Sequence, residues 1–296
     1  MKQTKRVLTA ILPLAATLFF AAGEVQAYVT SDGSCTPGNV TLTSITASVG
    51  GGSVYSGPAL DATSCFGVVS GNDSGNGQAK GNNIGELNDG LLNGGQKQDG
   101  QGIDPLTFID ASQLLDLNGN GTATDPGWIY LGKYGDDGFE AWNKPLDIST
   151  ILDFKVNPGT GSTSGTWTLS TDPDIIQTVI DAGVLTDRSL FDHLALILKA
   201  GNGYVVYDFD FNELQSDLGS AFNYTTPYVL SGTWSTGDLT NKKGKAQGLS
   251  HMSVWARDPI GDPNGDNGPE PIPAAGTLLL LGLGLTLLGA RARKHS

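Results

Sequence analysis

The chain has 296 residues, of which 17 are Lys or Arg and 30 are Asp or Glu, so its formal net charge is −13. Six of these cations and two of these acidic residues lie in segments 1–27 and 269–296, which leaves 11 against 28, a charge of −17, for the body of the chain. This excess argues against nucleic acid or an anionic membrane surface as a partner and favours counter-cations such as Ca²⁺. A solvated acidic surface explains it without any ion partner.

Residues 1–27 have the layout of a secretory signal peptide. Cations between residues 2 and 6 precede an apolar run over 7–22, and small residues mark a cleavage site between Ala27 and Tyr28. This order predicts export of the chain, with a mature N-terminus at Tyr28. An uncleaved N-terminal anchor is the alternative.

The chain contains two cysteines, Cys35 and Cys65, and both lie in the part predicted to be exported. In an oxidising compartment such a pair forms a disulfide, here closing a loop of about 30 residues. A catalytic cysteine is the alternative, but neither residue has a histidine beside it, and the body holds only His193 and His251.

Residues 28–257 read as many short strands separated by Gly-rich turns, which predicts an all-β domain, an antiparallel β-sandwich or jelly roll. The strands are predicted over 40–49, 165–169, 193–199, 204–209, 232–235 and 249–255. The segment 200–203 has hairpin-turn chemistry. The cap, proline and apolar spacing after Thr171 predict one short helix over 171–183. The tetrapeptide Ser-Gly-Thr-Trp occurs at 164–167 and again at 231–234, and the two copies indicate similar strands.

The segment 66–127 is dense in Gly, Asn and Asp, which predicts long surface loops around short strands; no clean linker marks a domain boundary there. Within it, Asp116, Asn118 and Asn120 match the first half of a Ca²⁺ loop, in which oxygen ligands alternate before a glycine. Gly127 stands where a bidentate Glu is needed at the twelfth position. An Asn-Gly turn is the alternative to a weak Ca²⁺ site.

Two further patterns bear on carbohydrate chemistry. Trp128, Tyr130 and Trp142 belong to an aromatic cluster among acidic and amide residues, which suits stacking on sugar rings; rings in the core beneath the loops are the alternative. Asp208 and Asp210 share one face of a predicted strand, as a glycosidase carboxylate pair could. A solvent-exposed face of the strand, opposite an aromatic core face, explains the same pattern without catalysis. No catalytic set, and no Ser-His-Asp arrangement, stands out.

The C-terminal segment 269–296 follows a Gly/Pro-rich linker, 258–268, and has three parts in order. Pro269, Glu270 and Pro271 come first, and residues 272–290 then run for 19 positions without a charge. An apolar helix of roughly 20 residues crosses a hydrocarbon core about 30 Å thick. The cations Arg291, Arg293 and Lys294 close the segment, which predicts a transmembrane helix with its C-terminus in the cytoplasm.

The three-part tail resembles a PEP-CTERM sorting signal, and 249–257 resembles the last strand of many proteins that carry one. The resemblance implies recognition by exosortase, a membrane protease-transpeptidase of Gram-negative bacteria that make extracellular polysaccharide. It also implies removal of the tail near Pro269–Pro271, so that the helix anchors the chain only transiently.

From these features we expect an exported surface or extracellular-matrix protein, structural or adhesive in exopolysaccharide or biofilm. A secreted carbohydrate-binding or glycan-acting protein is the alternative from another class, and a permanently anchored single-pass protein is the third. No cofactor other than Ca²⁺ is expected.

Overall fold

The computed structural model describes residues 28, 30–31, 33–73, 85–95, 102–117, 119–141, 152–172, 191–224 and 226–257. Several predictions from the sequence lie outside these residues: the signal peptide, the linker, the sorting tail with its transmembrane helix, and all but the first two positions of the helix expected over 171–183. Asn118 and Trp142 also lie outside them.

The described residues form two antiparallel sheets. The strands are β1 (Val40–Ala47), β2 (Ser53–Tyr55), β3 (Leu60–Asp61), β4 (Ser64–Ser70), β5 (Trp128–Gly135), β6 (Gly138–Ala141), β7 (Leu152–Asn157), β8 (Ser164–Thr171), β9 (His193–Ala200), β10 (Gly203–Asp210), β11 (Tyr228–Ser235) and β12 (Leu249–Arg257). Sheet A has the order β2-β1-β11-β8-β7, with β3 also paired to β1, and sheet B has the order β4-β10-β9-β12-β5-β6. The all-β prediction is confirmed, and each of the six predicted strands coincides with an observed one.

One α-helix, α1 (Phe211–Leu218), lies among the described residues. It begins directly after β10, where the Asp210 side chain accepts from the backbone N–H groups of Asn212 and Glu213, and it ends at Gly219. A carboxylate at the N-cap satisfies helix donors that have no partner within the helix. No helix was predicted over these residues from the sequence; Asp210 is both the last residue of β10 and the N-cap of α1.

The main core lies between the sheets, where alternate side chains of both meet. The two copies of Ser-Gly-Thr-Trp pair with each other across β8 and β11, so that Gly232 lies opposite Trp167 and Trp234 lies opposite Gly165. A Cβ at Gly232 would lie 1.8 Å from the Thr41 carbonyl oxygen. The missing side chain leaves room for the Trp167 indole, whose Nε1 donates to that carbonyl at 3.1 Å. In the repeated tetrapeptide, the glycine of each copy therefore lies opposite the tryptophan of the other copy.

The hairpin of β9 and β10 is confirmed and forms the centre of sheet B, with Ala200 opposite Gly203 and a positive φ of 53° at Gly201. Every residue of β9 is buried. Alternating strand residues point to opposite faces, so sheet B is covered on both. A second hydrophobic cluster covers its outer face, and its residues outside the strands include Leu91, Leu92 and Ile103. The prediction of surface loops is therefore wrong for these segments: their few apolar residues are buried.

The disulfide between Cys35 and Cys65 is present, as predicted. Cys35 precedes β1 of sheet A, and Cys65 lies in β4 at the edge of sheet B. The bond therefore links the two sheets covalently.

Candidate functional site

The structure places the predicted Ca²⁺ loop in a turn. The two carboxylate oxygens of Asp116 accept from the backbone N–H groups of Asn120 and Gly121, and the Asn120 side chain accepts from Thr122. Asp125 is buried, and its oxygens accept from the N–H groups of Leu87 and Leu117. These hydrogen bonds form a turn that includes Asn120 and Gly121. Asn118 lies outside the described residues, so the Ca²⁺ site stays a prediction. Among the described residues no group of three His, Cys, Asp or Glu side chains is arranged to hold a metal ion.

Two of the three aromatic candidates lie in the core, and the third, Trp142, lies outside the described residues. Trp128 is 1% exposed and Tyr130 is 6% exposed, and both belong to the second hydrophobic cluster. The Tyr130 ring packs against Trp255 at 5.1 Å between centroids. The core alternative therefore describes these two rings, whose faces do not reach solvent, because the segments over the outer face of sheet B cover them.

The carboxylate pair Asp208 and Asp210 does not lie on a solvent-exposed face of the sheet. The interpretation of these residues as a solvent face, made from the sequence, is therefore wrong. Asp208 is 1% exposed and bonds through Oδ2 to His193 Nδ1 at 2.9 Å. Asp210 is committed to the cap of α1. Sequence alternation placed both side chains correctly on one face, but that face is the covered outer face of sheet B.

Charge concentrates around the buried imidazole of His193. Its Nε2 lies 3.9 Å from Asp192 and 3.8 Å from Asp210. Burial by itself lowers the pKa of His193, but the hydrogen bond and charge of Asp208, with Asp192 and Asp210, outweigh it and raise that pKa. Burial raises the pKa of Asp208 to about 6, against the opposing effect of His193. The pair therefore holds a proton more tightly than the same groups do in water.

Arg257, the last residue of β12, joins this buried group to the covering segments. Its guanidinium donates to Asp192 and to the backbone carbonyls of Gln113 and Pro126. The arginine is 1% exposed. A planar guanidinium suits such divergent acceptors, and a buried charge needs its partners to remain buried. The His193 group therefore has a structural role: through Arg257 it connects sheet B to the segments that cover one end of its outer face.

A second polar group, which was not predicted from the sequence, lies on the same face. Asp73 follows β4 and is 3% exposed. Its Oδ1 lies 2.6 Å from His251 Nε2, and its Oδ2 accepts from the Ser253 hydroxyl at 2.8 Å. His251 and Ser253 lie two positions apart on β12 and so share a face. The only sequence signal was the pair His251 and Ser253; Asp73 is 178 residues away from His251, so only the fold unites them.

Lys199 and Tyr130 lie beside this group. We call the five residues Asp73, Lys199, His251, Ser253 and Tyr130 the Asp73 cluster. Lys199 on β9 lies opposite His251 in the strand register and donates from Nζ to the Gly201 carbonyl. Burial lowers the pKa of Lys199, and the charge of Asp73 partly opposes this. Burial, and then the charges of Asp73 and Glu140, raise the pKa of Tyr130, which keeps its hydroxyl protonated.

The cluster combines a fixed acceptor, an imidazole and a cation. Because the Asp73 carboxylate can only accept, His251 Nε2 is the donor to it, and in the neutral imidazole Nδ1 then holds a lone pair. The His251 side chain is 19% exposed, whereas the His193 side chain is fully buried. Of the two imidazoles in the described residues, His251 is the one that solvent reaches.

No helix of the described residues is long and apolar enough to span a membrane. Comparison with protein-family models, with curated proteins and with solved structures finds no match for this chain.

Proposed function

We propose that this chain is an exported surface or extracellular-matrix protein, structural or adhesive within exopolysaccharide, whose C-terminal tail is removed by an exosortase-type enzyme. The observation that carries the proposal is the order of parts in 269–296: Pro269-Glu270-Pro271, an uncharged 19-residue run, and a terminal basic cluster. That order at the far end from a signal-peptide pattern is the layout of the sorting signal that the tail resembles.

Two features of the body support export. The Cys35–Cys65 disulfide suits an oxidising compartment, because disulfides persist outside the cytosol. The body charge of −17 suits a soluble domain outside the cell.

The only large hydrophobic side chains exposed in the described part of the chain are Val49 and Leu106. Single exposed apolar residues of this kind do not form a membrane-binding patch.

The structure also suits removal of the tail without loss of the fold. The final strand β12 pairs on both sides, with β9 and β5, and ends at Arg257 in buried hydrogen bonds. The proposed cleavage region at Pro269 lies beyond the linker 258–268, so no strand of either sheet is cut.

Mass spectrometry of the protein from its own host tests the sorting proposal. We expect a mature chain that begins at Tyr28, ends near Pro269 and lacks Arg291 to Ser296. Glu270→Ala within the motif should leave the tail attached, and Asp266→Ala in the linker is the matched control that should be processed normally. A chain that extends to Ser296 in the wild type would show that the tail is a permanent anchor.

The structural or adhesive role needs a separate measurement. Deleting the gene should reduce the polysaccharide-associated protein fraction or cell adhesion, and the processed protein should be retained by the host's extracellular polymer in a sedimentation assay. Equal adhesion with and without the chain, and no retention, would contradict the role while leaving the sorting proposal intact.

A further inference from the structure

We propose that the Asp73 cluster is a hydrolytic site for carboxylic esters, in which Asp73 orients His251 and His251 activates a water molecule. This inference goes beyond the proposed matrix function and does not rest on it. The carrying observation is the geometry of His251: one nitrogen is fixed by a buried carboxylate, and the other retains contact with solvent.

The carboxylate is held firmly on both oxygens. Oδ1 of Asp73 accepts a hydrogen bond from His251 Nε2 at 2.6 Å, and Oδ2 accepts one from the Ser253 hydroxyl at 2.8 Å. A carboxylate that accepts from one ring nitrogen fixes the tautomer and leaves the other nitrogen as the base. Nδ1 of His251 has no hydrogen-bond partner among the described residues and is not one of their fully buried polar atoms. It is therefore available to a water molecule.

Ser253 is not the nucleophile in this arrangement. Its hydroxyl donates to Asp73, whereas an activated serine donates to the imidazole. It is a positioning residue for the carboxylate. The attacking group is then water, and the step is a direct hydrolysis without a covalent enzyme intermediate.

Lys199 supplies the positive charge for the oxyanion. Directly opposite residues on antiparallel strands have Cβ atoms about 5 Å apart and share a face, and Lys199 is opposite His251. An ammonium group has three donors, of which one is used on the Gly201 carbonyl. Two remain for a developing negative charge, and partial burial strengthens that interaction.

The chemistry favours esters over glycosides. Glycoside hydrolysis needs two carboxyl groups at a defined separation, and both oxygens of Asp73 are occupied by His251 and Ser253. In the ester reaction the water oxygen bonds to the acyl carbon and the water proton moves to His251 Nδ1. The bond from the acyl carbon to the alcohol oxygen then breaks, and His251 returns the proton to that oxygen. Ester and water give acid and alcohol. An O-acylated sugar is a substrate of this class.

Hydrolysis of 4-nitrophenyl acetate by the full-length protein in detergent tests the proposal. We expect saturable hydrolysis above that of the same concentration of free imidazole. His251→Ala should lower kcat by about 100-fold or more, as removal of a general base does. Asp73→Asn should lower kcat at least tenfold, and Lys155→Gln, an exposed cation in sheet A, is the matched control that should change nothing.

Chemical rescue separates catalysis from a structural role. Added imidazole should restore part of the activity of His251→Ala, since a small base can occupy the vacated space, and it should not raise the wild-type rate in proportion. Thermal unfolding of each variant checks the fold, and Asp73→Asn serves where His251→Ala unfolds. Wild-type hydrolysis no faster than that of folded Asp73→Asn, or no faster than free imidazole, would overturn the proposal.

Discussion

Loss of the disulfide gives the sharpest stability prediction for this fold. Replacing Cys35 and Cys65 together by alanine removes the covalent link between the segment that precedes β1 of sheet A and strand β4 of sheet B. Both cysteines pack against the main core, so alanine is preferred to serine, which would place a hydroxyl there without a designed partner.

The magnitude follows from the loop that the bond closes. The two residues are 30 positions apart. In the chain-entropy model, closing a loop of this length lowers the entropy of the unfolded chain by about 12 cal/mol/K, or roughly 3.6 kcal/mol at 25 °C. The lost sulfur contacts add to this, so the double variant should lose about 4 kcal/mol of unfolding free energy.

Urea unfolding of the wild type and the double variant, each with and without reductant, measures this loss. Reductant should lower the wild-type midpoint to near that of the double variant and leave the double variant unchanged. A difference below about 1 kcal/mol would refute the reasoning, because it would mean that the unfolded chain is not restricted by the bond or that the sheets associate without it.

Three further predictions concern single positions. Gly232→Ala should cost roughly 3 kcal/mol or more, because its Cβ would lie 1.8 Å from a carbonyl oxygen of β1, whereas Gly52→Ala meets nothing within 4 Å and should be nearly neutral; equal melting temperatures would contradict this. Asp125→Ala leaves two backbone N–H groups without their acceptor and should cost about 2–4 kcal/mol in urea unfolding; a neutral result would show that water replaces the carboxylate. The pKa values of His193 and Asp208 are raised, so the folded state binds their protons more tightly than the unfolded chain does. This stabilisation is therefore present at low pH and is lost as the pH rises. The loss falls between about pH 4 and 6 for Asp208 and above the ordinary pKa of histidine for His193. The difference in stability between wild type and Asp208→Asn should therefore change from pH 5 to pH 8; parallel curves would contradict the coupling.

Much of the architecture follows from local sequence pattern. Alternation of apolar and polar residues over 40–49 and 165–169 predicts strands because side chains on a strand alternate between two faces. The turn residues 200–203 predict the hairpin of β9 and β10 because a glycine there can take a positive φ. The pairing of Cys35 with Cys65 follows from there being two cysteines in a chain that its N-terminal pattern predicts to be exported.

The candidate sites show where this reasoning stops. Alternation places Asp208 and Asp210 on one face, but not whether that face meets water. The segments carrying Leu91 and Ile103 cover it, and their apolar residues are too sparse to form a periodic signal. Asp208 is therefore buried, and it forms a hydrogen bond with His193 instead of facing solvent.

From the sequence alone, six of the twelve strands in the described residues, the hairpin and the disulfide are predicted correctly, because each depends on neighbouring residues or on counting. The sorting signal stays a prediction from a contiguous motif. Tertiary structure decided the burial of Trp128 and Tyr130, the reciprocal Gly–Trp pairing of β8 with β11, and the contact of Asp73 with His251. Contacts between distant segments depend on strand order and on which face is covered. Those are properties of the assembled sheets, and no local pattern of the chain encodes them.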